Sequence, residues 1–408
     1  MQLQIKASEH ALVDPALESA GALPLSLRLH SRMEPLEGAW RAIEAQGHLS
    51  LHQSYDWCRA WVETHGCEPL IVEGFCEGRT QFILPLEIVR HGPIRTAHLI
   101  GTAFSNINTG LYTKAFRAPG AGIRLREALE RARGELARSF DLLLLEKMPL
   151  EWRGGTSPFA GLPAALNQNA AFQLELFEDF DGTLAQLNAK RRRKKARSSE
   201  RRLAAVGGYE HMVAQGGEQS LVLLETFFRQ KGARFETMGL PDVFRDEPTR
   251  AFFRKLAAIP AADGDYCLRL HALRLKGEHE GHIAAMTGLS RKGDHVICQF
   301  GSIDDSVAAE ASPGEFLFHL VIEQLCREGA PLFDFGIGDQ PYKRSWCRIE
   351  TLQHDLLFPV TVAGRAAAAA HRAKTAAKRL IKQNPQVYAF VQRMRFGRAE
   401  AARGGETD

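Results

Sequence analysis

The sequence contains no run of about 18 uninterrupted apolar residues, the least that a membrane-spanning helix needs, anywhere in its 408 residues. Its first twenty residues carry Glu9, Asp14 and Glu18 and show no basic start followed by an apolar stretch. No secretory leader is read there, and a cytoplasmic location is expected. Cysteine is sparse: there are seven, an odd number, with no C-x-x-C pair, which argues against a disulfide framework. The fifteen histidines are scattered. Only His279 and His282 stand three apart, in a turn, and no metal is expected. The basic stretch at 190–206 has no aromatic residue on which a base could stack, so nucleic acid is not an expected partner.

What is present fits a folded enzyme. Apolar residues make up 45% of the chain and charged residues 25%, and the length suits two domains. The net charge of +4 hides two strongly basic segments. Residues 190–202 hold nine Lys/Arg against one Glu, and 365–398 hold nine Lys/Arg and no acid. The body between them is net acidic. Such segments attract phosphates, anionic lipids or an anionic nucleotide. The second also carries Val387, Phe390, Val391 and Met394 on one helix face, which adds peripheral contact with an anionic inner membrane to the expectations.

Hydropathy alternation and turn residues predict a repeated order. In the first half come a strand at 23–29, helices at 34–46 and after Ser54, and strands at 70–76, 81–89 and 97–100. A polar loop at 101–110, a helix at 123–140 and a strand at 141–145 follow. The second half gives a basic helix at 184–205, a strand at 209–213, and helices at 220–231 and 248–258. Three strands between 266 and 303, a helix at 313–327, a strand at 332–335, a short helix at 341–346 and a strand at 356–362 complete it. A basic helix at 365–382 and a shorter one to about 395 close the chain. The order is α+β, two mixed-sheet lobes in tandem.

Chemistry concentrates in residues 300–346. Ser312 suits an N-cap and Pro313 the first helical position, and Gly314 leaves backbone N–H groups open to a ligand. A helix start of this kind binds anions, here a cofactor phosphate. The strand ending Phe333-Asp334-Phe335-Gly336 leads through Gly338 to Tyr342, Lys343 and Trp346. Tyr342 can donate a proton to a leaving thiolate, and Lys343 can hold a phosphate. Asp304, Asp305 and Glu310 are carboxylates between strand and helix. In the first half, Asn106 and Asn108 offer amides suited to a sugar.

Together, the Ser-Pro-Gly helix, the Asp-Phe-Gly-x-Gly strand end and Tyr-Lys-x-x-Trp resemble the GNAT-like acetyltransferases grouped with cellulose-biosynthesis acyltransferases. That family is related to the FemAB peptidoglycan aminoacyltransferases. Ser54-Tyr55-Asp56-Trp57, Ile83-Leu84-Pro85-Leu86 and Ile100-Gly101 resemble it too. The resemblance covers about residues 25–362, although no clean Gln/Arg-x-x-Gly-x-Gly/Ala pyrophosphate loop is present. It implies a GNAT-like lobe at 23–175, a catalytic one at 176–363 and a basic helical tail at 364–408. It also implies an acyl-CoA co-substrate and a glycan or amino-sugar acceptor in exopolysaccharide or envelope biosynthesis. The expected catalytic residues are Tyr342, Asp304 and Asp334. Ser312, Pro313, Gly314, Gly338 and Lys343 are expected on the cofactor, and Asn106, Asn108 and Trp346 on the substrate. The competing readings are aminoacyl transfer from charged tRNA and a non-catalytic nucleotide-binding regulator of polysaccharide export.

Overall fold

The structure, a computed structural model, describes residues 24–384; the short helix expected to about 395, with Val387, Phe390, Val391 and Met394, lies outside them. The chain opens with β1 (Ser26–His30) and α1 (Glu37–Glu44). At α2 (Tyr55–His65) the Ser54 side chain accepts from the Trp57 amide, and Gly66 at φ 62° ends the helix. The hairpin of β2 (Pro69–Cys76) and β3 (Arg79–His91) turns on Glu77 and Gly78 at φ 52° and 72°, the doubly left-handed turn that matches strand twist. β4 (Ile94–Leu99) extends the meander, and the two-residue β5 (Leu111–Tyr112) pairs with β3. The single helix expected at 123–140 is two, α3 (Ala121–Arg131) and α4 (Arg133–Ser139). β6 (Leu142–Met148) then runs parallel to β4. The Gly- and Pro-rich stretch beyond holds four short strands, none of them expected. These are β7 (Glu151–Trp152), β8 (Gly155–Thr156), β9 (Ala164–Leu166) and β10 (Ala171–Glu175).

In the second half, Asp179 caps α5 (Phe180–Ala185), and Asn188 caps a separate α6 (Ala189–Ala205). The Asn188 side chain takes the Arg191 amide and so restarts what was expected as one helix. β11 (Tyr209–Ala214), α7 (Gly217–Thr237) and α8 (Glu247–Ala258) precede the meander of β12 (Tyr266–Leu275), β13 (Ile283–Lys292) and β14 (His295–Ile303). α9 (Pro313–Arg327) crosses over to β15 (Leu332–Ile337), which is parallel to β14. α10 (Pro341–Trp346), β16 (Ile349–Thr351), β17 (His354–Pro359) and α11 (Val362–Gln383) finish the described chain.

Two sheets result. One has the order β1-β2-β3-β4-β6-β17-β9, with β5 on β3, and the other β11-β12-β13-β14-β15-β10-β16. Each is an antiparallel meander, a helical crossover to one parallel strand, then one strand from the other half of the chain (β17 or β10) and a short edge strand. The sheets therefore do not divide at 175/176: β10 belongs to the second sheet and β17 to the first. β17 is buried through Asp355, Leu356, Leu357 and Phe358 and needs a partner on each side. β6 supplies one, setting Leu144 opposite Leu357 and Leu143 opposite Phe358. Nor is α11 a free tail, since it packs on β17, β6, β4 and β9.

The lobes also share a core. Phe252 on α8 meets Trp57 and Trp61 on α2 edge-on at 4.9 and 5.2 Å, and Phe104 meets Phe253 at 5.4 Å. Such aromatic contacts add to the area that they bury. No helix among the described residues is long and apolar enough to cross a membrane.

Candidate active site

β14 and β15 pair over only three positions, His295 with Leu332, Val296 with Phe333 and Ile297 with Asp334. Beyond them β14 continues to Ile303 and β15 to Ile337 without pairing, so the strands part. Gly336, at φ 73°, turns the chain out of β15, a conformation open to glycine at little strain. The gap is a cavity of about 480 Å³ at the strand ends. Open α/β sheets bind ligands in such a place.

The start of α9 forms one wall. Ser312 occupies the N-cap position, but at φ 50° and ψ 57°, and its side chain caps nothing. The capping bond expected of it fails because an N-cap oxygen reaches the first-turn amides from an extended backbone. The N–H groups of Gly314 and Glu315 thus find no acceptor among the described residues, while both residues line the cavity. A Cβ at Gly314 would stand 2.5 Å from Ile303 Cδ1, so a larger residue there would displace that side chain. Glu315 brings a carboxylate to the same wall, where Lys195 (2.5 Å) and Arg192 (3.7 Å) offset it. Arg192 in turn lies 3.8 Å over the Trp346 ring, which fixes α6 beside the cleft.

α10 forms the opposite wall. Tyr342 stacks on Phe318 with ring centres 5.7 Å apart, and burial pushes its hydroxyl well above the usual phenol range. Lys343 is turned inward and donates to the carbonyls of Ile337 (2.6 Å) and Gly336 (3.3 Å). Burial lowers its pKa, and it secures the turn after β15. Cys298 lies on the floor, its thiol raised by burial and held against Thr287 Oγ1 at 3.2 Å. Lys231 and Arg234, one turn apart on α7, stand at the mouth. Lys231 donates to the Gly301 carbonyl at 3.1 Å, and burial lowers its pKa.

The first lobe supplies the remaining wall. Asn106 lines the cavity and donates through Nδ2 to the carbonyls of Cys298 (3.2 Å) and Gln299 (3.5 Å). Behind it, buried His52 bridges the lobes: Nδ1 lies 2.7 Å from the Ile107 carbonyl and Nε2 3.1 Å from the Gln299 side-chain amide.

Of the residues expected from sequence, Gly314, Lys343, Tyr342 and Asn106 meet at the cleft. Ser312, Pro313 and Gly338 flank it. The other four are placed elsewhere. Asp304 closes β14 outside the cavity, taking the Ser306 amide at 3.0 Å and facing His282 at 3.7 Å; the bond with Ser306 lowers its pKa. Asp334 is wholly buried under the strands, held by Gln173 Nε2 (2.7 Å), His295 Nε2 (3.2 Å) and the Gly336 amide (2.7 Å). Asn108 is also buried and engaged with Gln53, Thr102 and the Glu146 carbonyl. Trp346 is a core residue, 1% exposed. Sequence reasoning missed Lys231, Arg234, Thr287, Cys298, Gln299 and Phe318. The one signal available was the pairing of adjacent strands 13 and 14, which brings Thr287 and Cys298 to one surface.

The second lobe is an α+β unit whose mixed sheet parts beside an uncapped crossover helix, and comparison with known proteins shows what it is similar to. Residues 190–344, which include both walls of the second lobe's cleft, match the family model described as "Acetyltransferase (GNAT) domain". No curated protein matches the chain. Among solved structures, FemX superposes with a TM-score of 0.56 at 13% identity, over 81% of this chain and 97% of FemX. The C-terminal domain of a putative lysylphosphatidylglycerol synthetase from Agrobacterium fabrum gives 0.49 at 14%, over 84% and 96%. A tandem GNAT protein from the clavulanic acid biosynthesis pathway gives 0.45 at 13%, over 83% and 99%. The chain is built of tandem GNAT-like lobes. The matched GNAT domain lies in the second half and marks that half as an N-acyltransferase lobe.

Proposed function

We propose that the second lobe binds acyl-CoA where β14 and β15 part and passes its acyl group, acetyl in the simplest case, to the amine of an amino-sugar or glycan precursor. The observation that carries this reading is the gap itself, walled by two free amides of α9 and by Tyr342. The residues present fit an acyl-CoA. The outer edge of β14 beyond Ile297 has no strand against it and offers backbone groups to an extended amide-bearing arm. The amides of Gly314 and Glu315 suit phosphate oxygens, and Lys231 and Arg234 add positive charge at the mouth. Phe318 and Phe335 make an apolar floor for the acyl end.

Bound acyl-CoA would supply a thioester, which an amine attacks. The Tyr342 hydroxyl keeps its proton on the phenol oxygen across the working pH range, because burial raises its pKa, and it can donate to a departing thiolate. Among the described residues the only carboxylate lining the cleft, Glu315, is paired with Lys195 and Arg192. The acceptor amine therefore has to arrive neutral, and positioning supplies most of the acceleration. Asn106, reaching in from the first lobe, is placed to orient an acceptor hydroxyl or amide.

Calorimetry with acetyl-CoA tests the cradle. The wild-type chain should bind saturably, and Gly314→Glu, which adds a side chain and a charge beside the free amides, should not. Because that variant strains the contact with Ile303, Arg234→Glu, on an exposed helix face, serves as the second probe and should weaken binding about tenfold. Unchanged binding in both variants would place the donor elsewhere.

A second reading, aminoacyl transfer from charged tRNA, draws on one observation. Lys190, Arg191, Lys194, Arg197 and Arg201 are exposed on α6 and make no ion pair among the described residues, and α6 borders the cleft. Steeply salt-dependent binding of tRNA would favour it.

A further inference from the structure

In the first lobe, α11 lies across the sheet on a small apolar patch of Leu142, Leu144, Leu357 and Ala368. Next to this patch the packing turns polar. Glu146 at the end of β6, Asp355 on β17 and His371 on α11 bring one ligand atom each to within 4.8 Å of one another. The three come from separate elements, so no spacing motif joins them in the sequence.

We propose that Glu146, Asp355 and His371 bind a divalent transition-metal cation, of which zinc is the natural first probe, and that the ion fastens α11 to the sheet. The donor set, one imidazole and two carboxylates, is suited to zinc and its neighbours. The spacing is close to that required: ligand bonds of about 2.0–2.2 Å set donor atoms roughly 3.4 Å apart around a tetrahedral ion. His371 Nε2 and Asp355 Oδ2 are now 2.8 Å apart and would open by roughly 0.6 Å, while the Glu146 donor lies within 4.8 Å of both.

The surroundings are those of a built site. Asp355 is 1% exposed. Its second oxygen accepts from Asn167 Nδ2 at 2.8 Å and the Lys147 amide at 3.2 Å, so Oδ2 is directed at the cluster. Glu146 Oε2 is oriented by His98 Nδ1 at 3.2 Å, and ligating carboxylates are commonly held by an outer hydrogen bond. The nearest ammonium is committed elsewhere. Lys147, at φ 58°, donates through Nζ to the carbonyls of Thr102 and Ser105, both at 2.7 Å. Two largely buried carboxylates thus face two imidazoles, and a divalent ion set among them would offset their charge.

The test uses the full chain, stripped with a chelator and titrated with zinc chloride by calorimetry and with cobalt(II) by visible absorption. The expected result is one equivalent bound, ligand-field bands from cobalt, and a melting temperature raised by zinc. His371→Ala should lose at least tenfold in affinity and most of the zinc-dependent rise. Glu146→Gln, which keeps shape and hydrogen bonding, should weaken binding similarly and guards against a folding defect in the first variant. No saturable binding, or binding that both variants retain, overturns the proposal and leaves a hydrogen-bonded histidine–carboxylate network holding α11.

Discussion

The two lobes repeat one architectural event with opposite outcomes. In each, a meander strand runs beside a parallel crossover strand for three residue pairs and then leaves it, β4 from β6 and β14 from β15. In the second lobe the parting leaves a cavity. In the first it is filled by the chain's own loop at 101–110. The Asn108 amide donates to the Lys147 carbonyl (3.0 Å), Lys147 Nζ clasps Thr102 and Ser105, and Ile107 is fully buried. The connection after β4 is long and doubles back into the gap, whereas that after β14 runs directly to α9. Loop length, on a common scaffold, separates a binding lobe from a supporting one.

The comparison breaks most visibly at Tyr342. Tyr342→Phe should lower acetyl transfer about a hundredfold or more, as loss of a proton donor does, with little change in melting temperature. Equal losses in both would return the ring to a packing role. Asn108→Ala should do the reverse in the first lobe. It strands buried partners at Gln53 and the Glu146 carbonyl and should cost about 2–3 kcal/mol in denaturant unfolding, with acetyl-CoA affinity unchanged.

Acid probes the joint between the lobes. Burial lowers His52 to about 4 from the usual 6.5, so the unfolded chain takes up a proton before the folded one. Its contribution is complete above pH 6.5 and falls by about 1.4 kcal/mol per unit until pH reaches about 4. His52→Gln should flatten that part of a stability–pH curve. The smallest effect is expected at Asn106→Ala: a several-fold rise in KM for the acceptor amine, kcat nearly constant, and stability altered by about 1 kcal/mol or less.

Local chemistry made most elements legible. The Ser54 cap, the Glu77-Gly78 turn and Pro313 at the start of α9 carry their structural reasons in the residues themselves. The exchange of β10 and β17 was hidden because partner choice depends on which sheet edge stands free after folding. The site was half visible for a similar reason. Asn106 and Asn108 are the same residue two positions apart in one loop, yet one faces the cleft and the other the plug, and composition cannot tell them apart. Asp334 looked catalytic as a polar residue at a strand end, but alternation along β15 turns it under the sheet, where its three hydrogen bonds shape Gly336. Lys231 and Phe318 sit on ordinary amphipathic helices and gain meaning only from the gap they face.

The strand exchange also bears on how the chain is made. As the polypeptide leaves the ribosome, β6 appears early but has an open edge, because its neighbour β17 comes only at residues 354–359. The first lobe cannot close its sheet until nearly all of the second has been synthesised. During that interval an apolar strand, Leu142 to Leu145, lies along an unpaired edge, the kind that recruits other chains. Expression of residues 1–175 alone would make this interval permanent, and such a fragment should aggregate.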